Sequence, residues 1–406
     1  MKHILLVHQA FVSPRQAGGT RHYEFASLLV PEGQFRFTII ASTLSYLTGQ
    51  QVNPDDDSDL EPGIEVLRAY TLPVSHRSFV WRVVAFFSFM VMAVWESHKV
   101  KHVNLVMGTT PPIFQAVSAW LITLILRRPF LLEVRDLWPE FAIDMGVLKN
   151  PILIRLSRWL EAFLYTRADH ILVNSPVYRD YILNRGISSE KVSLIPNGAD
   201  PAMFDPHIDG KVILQRLGLD GQYIVTYAGA LGKANDLETI LRAAGHLRDH
   251  KDIHFLLVGD GKERPRLEAL AHEYGLENMT FMGALPKTDM PSLLAASDVC
   301  VATLMNIPMF RTTYPNKVFD YMAAGKPTIL AIDGVIREVI EAANGGIFVP
   351  PGDDQALAEA IIRLHSDQPQ AEQMGASARL YVEQHFNRRR QVQDFANLLD
   401  RLIVGN

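Results

Sequence analysis

The chain has 406 residues, too many for one hydrophobic core and enough for two domains of roughly 200. With 48% hydrophobic and 20% charged residues, composition excludes a disordered chain. A net charge of −5 gives nucleic-acid binding no support, and one cysteine, Cys300, excludes an intrachain disulfide and fits the cytoplasm. Cys300 lies in an apolar run and reads as a small core residue.

The run at residues 4–7 is too short for a signal peptide and reads as a strand buried on both faces. A loop leads to Ala17-Gly18-Gly19-Thr20-Arg21-His22, where a helix starts with Tyr23, Ala26, Leu29 and Val30 as its apolar stripe. Strand, glycine loop and helix start form the opening of a doubly wound nucleotide-handling domain, although tight turns use the same glycine pair. Residues 37–41 are the second strand. Residues 45–63 form a polar loop with Asp55, Asp56, Asp57 and Asp59. Its Asp-x-Asp has no strand before it, so a solvated loop is expected rather than a metal site.

Residues 79–95 are apolar except for Arg82 and Ser88. As a helix the run is about 25 Å long, against roughly 30 Å of bilayer hydrocarbon. Three readings stay open: a buried or subunit-contact helix, a helix lying in a membrane surface, and a span. A span would divide one sheet across a bilayer. Phe79, Trp81, Phe86, Phe87, Phe89, Met90, Met92 and Trp95 supply bulky apolar groups for a surface, and Arg82 a cation for lipid phosphate.

Strands are expected at 105–107, 130–134, 171–173 and 192–195. Ligands in such sheets bind at the carboxyl ends of strands. The polar groups of Arg135-Asp136-Leu137-Trp138-Pro139-Glu140, after the 130–134 strand, are therefore site candidates. Pro196-Asn197-Gly198-Ala199-Asp200, with Pro201 and Pro206, marks a domain boundary near 198–210. The pattern then restarts, with strands at 223–227, 254–258, 280–282, 299–303, 328–331 and 347–349. The first runs into Gly229 and Lys233, the second into Gly259-Asp260-Gly261. That triplet lacks the third glycine of a dinucleotide fingerprint, so NAD is not expected. Residues 388–404 form an amphipathic helix with Phe395, Leu398, Leu399 and Leu402 on one side.

Residues 314–327 organise the second half. Pro315 suits a first helical turn, Gly325 a left-handed stop, and Pro327 forbids continuation. Val318 and Met322 face inward; Lys317 and Asp320 share the other face. The helix start and Lys317 suit a diphosphate, and Asp320 suits two ribose hydroxyls. The alternative is an exposed ion pair between the two.

In order and spacing these motifs resemble the family 4 retaining glycosyltransferases of GT-B architecture, over nearly the whole chain. Gly18, Gly19, Arg21 and His22 are similar to that family's N-terminal glycine loop. Residues 173–200 are similar to its boundary motif, Asp260 with Phe281, Met282 and Gly283 to its nucleotide pocket, and residues 315–327 to its ribose helix. Residues 133–140 resemble a bacterial branch that makes O-antigen and capsule and includes N-acetyl-L-fucosamine transferases. The departures are specific. The family's paired glutamates fall at Thr312 and Asp320, its arginine and lysine after the first strand of the second domain fall at Ala230 and Asn235, and its catalytic-region histidine falls at Arg135. Lys233 is the cation nearest the missing lysine.

The resemblance implies an α/β fold of two doubly wound, Rossmann-like domains facing a cleft. Residues 1–205 would bind acceptor, residues 206–385 nucleotide-sugar, and residues 386–406 form a helix packing towards the N-terminal domain. It implies a UDP-sugar donor, a lipid-linked or saccharide acceptor, no cofactor, no metal and no nucleic acid, with the enzyme cytoplasmic or peripheral on the membrane's inner face. Gly18, Gly19, Gly229, Lys233, Asp260, Phe281, Met282, Gly283, Asn316, Lys317 and Asp320 would meet the donor. Arg21, His22, Arg135, Asp136 and Glu140 would lie on the acceptor side, with Asp136, Lys233 and Lys317 catalytic. A UDP-sugar epimerase and a non-catalytic sugar-nucleotide-binding subunit are the rival readings.

Overall fold

The computed structural model describes residues 1–406 apart from Leu47, residues 75–78, Pro206 and Asn406, and omits the side chains of Pro54, Phe79 and Val80. Pro206 of the expected boundary and the first two side chains of the apolar 79–95 run, Phe79 and Val80, thus lie outside the described residues. The chain divides into two compact units. One comprises Met1–Ser13, Gly19–Pro196 and Arg389–Asn406; the other comprises Pro14–Gly18 and Asn197–Arg388.

The first unit is built on a parallel sheet. Its strands are β1 (Lys2–Val7), β2 (Phe35–Ser42), β3 (Ile64–Ala69), β4 (Leu105–Thr110), β5 (Phe130–Val134), β6 (His170–Val173) and β7 (Val192–Leu194). Among the described residues they form a 7-stranded sheet in the order β3-β2-β1-β4-β5-β6-β7. The order reverses between β1 and β4, and ligand crevices of such sheets open at that reversal. Right-handed crossovers put Arg21–Leu29 on one face and Phe79–Ser97, Ile113–Leu126 and Pro151–Arg167 on the other. The C-terminal residues cover the first face: Phe395 meets Phe25 at 5.0 Å between ring centroids, and Leu398 and Leu399 are buried with it.

The second unit repeats the plan. Its strands are β8 (Tyr223–Ala228), β9 (Ile253–Val258), β10 (Met279–Gly283), β11 (Val299–Thr303), β12 (Thr328–Ala331) and β13 (Gly346–Phe348), in the order β10-β9-β8-β11-β12-β13. Alternation along β8 feeds two cores. Tyr223, Val225 and Tyr227 join one; Ile224 and Ala228 join the other. Cys300 is fully buried in the second core, and burial pushes its thiol up to about 12. The expected pair of doubly wound, parallel-sheet domains is therefore present.

Two local expectations are corrected. The 45–63 stretch is not wholly solvated. Pro54–Asp57 is a 3-10 turn, and both oxygens of Asp57 accept from Arg68 of β3 at 2.8 Å. The apolar 79–95 run is a helix, Phe79–Ser97, but not uniformly a surface. Ala85, Phe89 and Ala93 are buried, whereas Phe87, Val91 and Trp95 are 46%, 61% and 67% exposed on the opposite side. Phe89 is thus a core residue. Among the described residues no helix is long and apolar enough to cross a membrane.

Candidate active site

In the second unit, polar groups gather where β8, β9, β10 and β11 end. The helix Asn316–Ala323 begins there. Pro315 is its N-cap rather than its first residue, with an extended backbone that lacks only an N–H the helix does not need. Asn197 Nδ2 donates to the Tyr314 carbonyl at 2.7 Å and fixes the approach to that helix. Val318, Phe319 and Met322 bury its inner face, and Gly325 ends the turn at φ +68°.

Lys317 does not extend into solvent. Its Nζ donates to Tyr227 Oη at 2.6 Å and to Asn235 Oδ1 at 3.0 Å. Tyr227 Oη in turn donates to the Ala230 carbonyl at 2.9 Å. Burial without a carboxylate partner lowers the ammonium to about 7. Gly229 makes this position reachable, because a Cβ there would lie 2.8 Å from Nζ and 2.9 Å from Cε. Gly259, at φ +145°, is tighter still: its Cβ would strike the Gly229 carbonyl oxygen at 1.8 Å. Two strand ends thus meet with bare backbone, with an ammonium above them. Asn316, first in the helix, has a buried side-chain oxygen with no partner.

Asp320 lies one turn beyond Lys317 but pairs elsewhere. Lys287 Nζ reaches its Oδ2 at 2.6 Å, with 12% and 18% of the two side chains exposed. The exposed Lys317–Asp320 pair considered above is replaced by this separate bridge. Phe281, Met282 and Gly283 lie on the edge strand β10. An irregular step between Phe281 and Gly283 takes Met282 out of register with β9. Asp260 accepts from the Gly261 N–H at 2.7 Å and sits 3.6 Å from Arg264. Lys233 is exposed; the ammonium beside Asn235 belongs to Lys317.

In the first unit a second cluster forms where β1, β4 and β5 end. Glu133, fully buried, binds Arg21 Nε at 3.0 Å and His22 Nε2 at 2.5 Å. His22 and Arg21 hold its carboxyl far below the usual carboxylate range against the opposing effect of burial. Arg21 also donates to the carbonyls of Ile195 and Pro196. Arg21 and His22, expected on the acceptor side, are therefore interior groups that bind the helix start to the sheet. Glu140 is committed to Arg158 through two bonds of 2.8 and 2.9 Å.

Arg135 and Asp136 remain at the surface of this cluster, both half-buried. Arg135 NH1 lies 3.3 Å from His8 Nε2. Tyr178 Oη donates to Asp136 at 3.5 Å. Burial raises the Asp136 carboxyl to about 6, and Arg135 and Tyr178 offset part of that rise. Gly19 borders Arg135, and Gly18, at φ +148°, belongs with the second unit.

Sequence reasoning missed Tyr227, Lys287, His8 and Thr109. His8 directly follows β1 at the sheet's reversal, so the carboxyl-end rule reaches it. Tyr227 and Lys287 carry no local signal, because their partners are 90 and 33 positions away.

Comparison with known proteins agrees with this layout. Residues 18–198 match the family described as Glycosyl transferase 4-like domain, and residues 211–381 match Glycosyl transferases group 1. The chain is 26% identical over 333 residues to the probable glycosyltransferase WbjE of Pseudomonas aeruginosa, covering 78% of this chain and 79% of that one. It is 25% identical over 288 residues to the putative colanic acid biosynthesis glycosyl transferase WcaI of Escherichia coli K12, covering 69% of each. Its fold is similar to sucrose-phosphate synthase from Thermosynechococcus elongatus, with a TM-score of 0.78 over 100% of both chains at 21% identity. Anabaena HepE, solved in complex with UDP and glucose, follows at 0.75 and 20%, over 98% of this chain and 99% of that one.

Proposed function

Because this chain is a glycosyltransferase of the GT-B fold, an enzyme that transfers sugars, we propose that it moves a sugar from a UDP-sugar to a lipid-linked or saccharide acceptor in surface polysaccharide synthesis. The observation that carries the reading is Lys317, a partly dehydrated ammonium over side-chain-free backbone at Gly229, beside the start of a helix. That is a receptor for diphosphate. The UDP and glucose bound in HepE, a protein of the same fold, support the donor class.

In this scheme Asp320, held by Lys287, accepts from the ribose hydroxyls. Backbone at Phe281, Met282 and Gly283 meets the base. Negative charge grows on the leaving diphosphate as the bond from sugar C1 to the phosphate oxygen breaks. Lys317 and the amides near Asn316 stabilise that charge in the transition state, without a metal. The acceptor hydroxyl attacks from the side the diphosphate leaves, so configuration is retained, and its proton passes to the departing phosphate oxygen. Asp136 orients that hydroxyl. Lys233, exposed beside the cradle, adds a second cation when donor is bound. Gly18, which groups with the second unit, lets bare backbone approach the donor. The acceptor's lipid brings the enzyme to the inner face of the cytoplasmic membrane.

The test is a panel of UDP-sugars read by calorimetry and then by turnover, in EDTA. UDP binding that Lys317→Met weakens, with transfer surviving chelation, is the expected result. Conversion of a UDP-sugar without acceptor would favour an epimerase instead. Activity lost to EDTA and restored by manganese or magnesium would overturn the metal-free scheme.

A further inference from the structure

No carboxylate among the described residues forms a direct ion pair with Arg135, although its charge is felt by Asp136. Among the described residues its hydrogen-bonding partner is His8, and its Nε is buried and bonds to nothing. The acids around it are engaged elsewhere: Glu133 with Arg21 and His22, Glu140 with Arg158, and Asp136 with the Tyr178 hydroxyl. A half-buried cation left in this state loses hydration, and nearby charge without a direct ion pair offsets only part of the cost.

The bond to His8 shows how that cation is held. Arginine carries donors only, so His8 Nε2 must offer its lone pair. Nδ1 then carries the ring proton and donates to Thr109 Oγ1 at 2.8 Å. Gln115 Nε2 donates to the same hydroxyl at 2.8 Å, and its Oε1 accepts from the Gln9 N–H at 2.5 Å. Burial, with His22 and Arg135 nearby, pushes His8 well below its ordinary value and keeps it neutral. The chain β1–β4 thus orients a guanidinium without neutralising it. Gly19 borders its NH2, where a Cβ would be 3.8 Å away, so this residue puts no side chain over that nitrogen.

We infer that Arg135 is an oxyanion receptor, held by neutral His8, for a phosphate or carboxylate group on the acceptor. The inference rests on the reading of the first unit as the acceptor side. Planar donors of this kind match both oxyanions in a two-point contact. His8 is a positioning residue, since it acts through Arg135.

The full chain, in excess UDP, is titrated by calorimetry with farnesyl diphosphate, glucose 1-phosphate, glucuronate and uncharged methyl glucoside. At least one anion is expected to bind where methyl glucoside does not. Arg135→Gln should weaken that anion by about tenfold or more, the scale of a charged hydrogen bond, with Arg135→Lys retaining part of it. His8→Phe should give a smaller loss, and the double variant with Arg135→Gln should lose no more than Arg135→Gln alone. UDP affinity should be unchanged throughout. The strongest anion identifies the source: a lipid headgroup, a sugar phosphate or an acidic sugar. Binding of no anion, or equal binding to wild type and a folded Arg135→Gln, overturns the inference. So does a loss of UDP affinity in that variant, which would assign the guanidinium to the donor. Failure of the wild type to bind UDP counts against the proposed donor alone, because the Arg135 dependence is read on a different ligand.

Discussion

At the scale of single residues, the proposed role of Lys317 predicts that nucleotide binding depends on pH. Its ammonium is lowered to about 7 by burial, with the neutral groups Tyr227 and Asn235 as partners. A bound diphosphate favours the charged form and raises that value. Below about pH 7 the free protein already carries the proton, so Lys317 adds no slope there and only the ligand's own phosphate, with a second pKa of about 6, titrates. Above about pH 7 the proton must be regained on binding, so affinity should fall by up to tenfold per pH unit until the raised value of the complex is reached. Uridine, which lacks phosphates, should show no such slope. A UDP-to-uridine ratio constant from about pH 6.5 to 9 would rule out the linkage. Glu133 gives a complementary expectation for stability. It is fully buried against Arg21. Glu133→Gln would strand that cation and should lower unfolding stability by about 3–5 kcal/mol in denaturant titration. Adding Arg21→Met should recover part of the loss, because the two residues share one interaction.

At the scale of elements, the turn after β8 and the Asn316–Ala323 helix form one unit. Gly229→Ala would put a methyl where the end of Lys317 now lies, 2.8 Å from Nζ. The lysine's flexible end can yield, so the fold should survive while UDP weakens by about fivefold or more, the loss of one good hydrogen bond. A melting temperature that falls while UDP affinity holds would mean the glycine serves only the backbone. Much of this helix was readable in the chain. Pro315, Gly325 and Pro327 punctuate it, and Val318 and Met322 point inward as their spacing requires. The sheets were readable for the same reason: strands buried on both faces are short apolar runs that recur between helices. What the helix touches was not readable. Lys287 reaches Asp320 from 33 positions away, and Glu133 reaches Arg21 from 112. Such pairs follow from the strand order, which no local pattern encodes. The Phe79–Ser97 helix shows a second limit. An almost uniformly apolar sequence has no polar stripe to mark its outer side, so Phe87 and Phe89 looked alike before packing separated them.

At the scale of the whole molecule, apolar exposure is uneven. Three helices on one face of the first sheet pack side by side, with Phe87 against Phe114 at 4.8 Å and Trp120 against Phe163 at 4.9 Å. Their outer surfaces expose Trp81, Val91, Trp95, Leu124, Ile152, Leu156 and Trp159. Among the described residues of the second unit, Val212 and Leu380 are the exposed large apolar groups. Exposed cations follow the first two of these helices, Lys99 and Lys101, Arg127 and Arg128, and Arg155 lies in the first turns of the third. Lys99 is paired with Glu96, but the excess of cations at these helix ends opposes self-association and favours an anionic lipid surface. On such a surface the apolar side chains would enter the headgroup region while the cations stayed with phosphate. The full-length protein should therefore sediment with vesicles containing anionic phospholipid, less with neutral ones, and less again at high salt. Trp95→Glu with Trp159→Glu should reduce that binding by about tenfold or more, since each exchange replaces aromatic burial with a charge facing lipid phosphate. Phe89→Glu is the contrasting variant: its side chain is in the core, so it should unfold the first unit rather than release it from lipid. UDP binding in the double tryptophan variant should match the wild type, because the Lys317 cradle is built entirely from the second unit. A wild-type protein that stays in the supernatant with anionic vesicles would reject the membrane reading and leave this face for another partner.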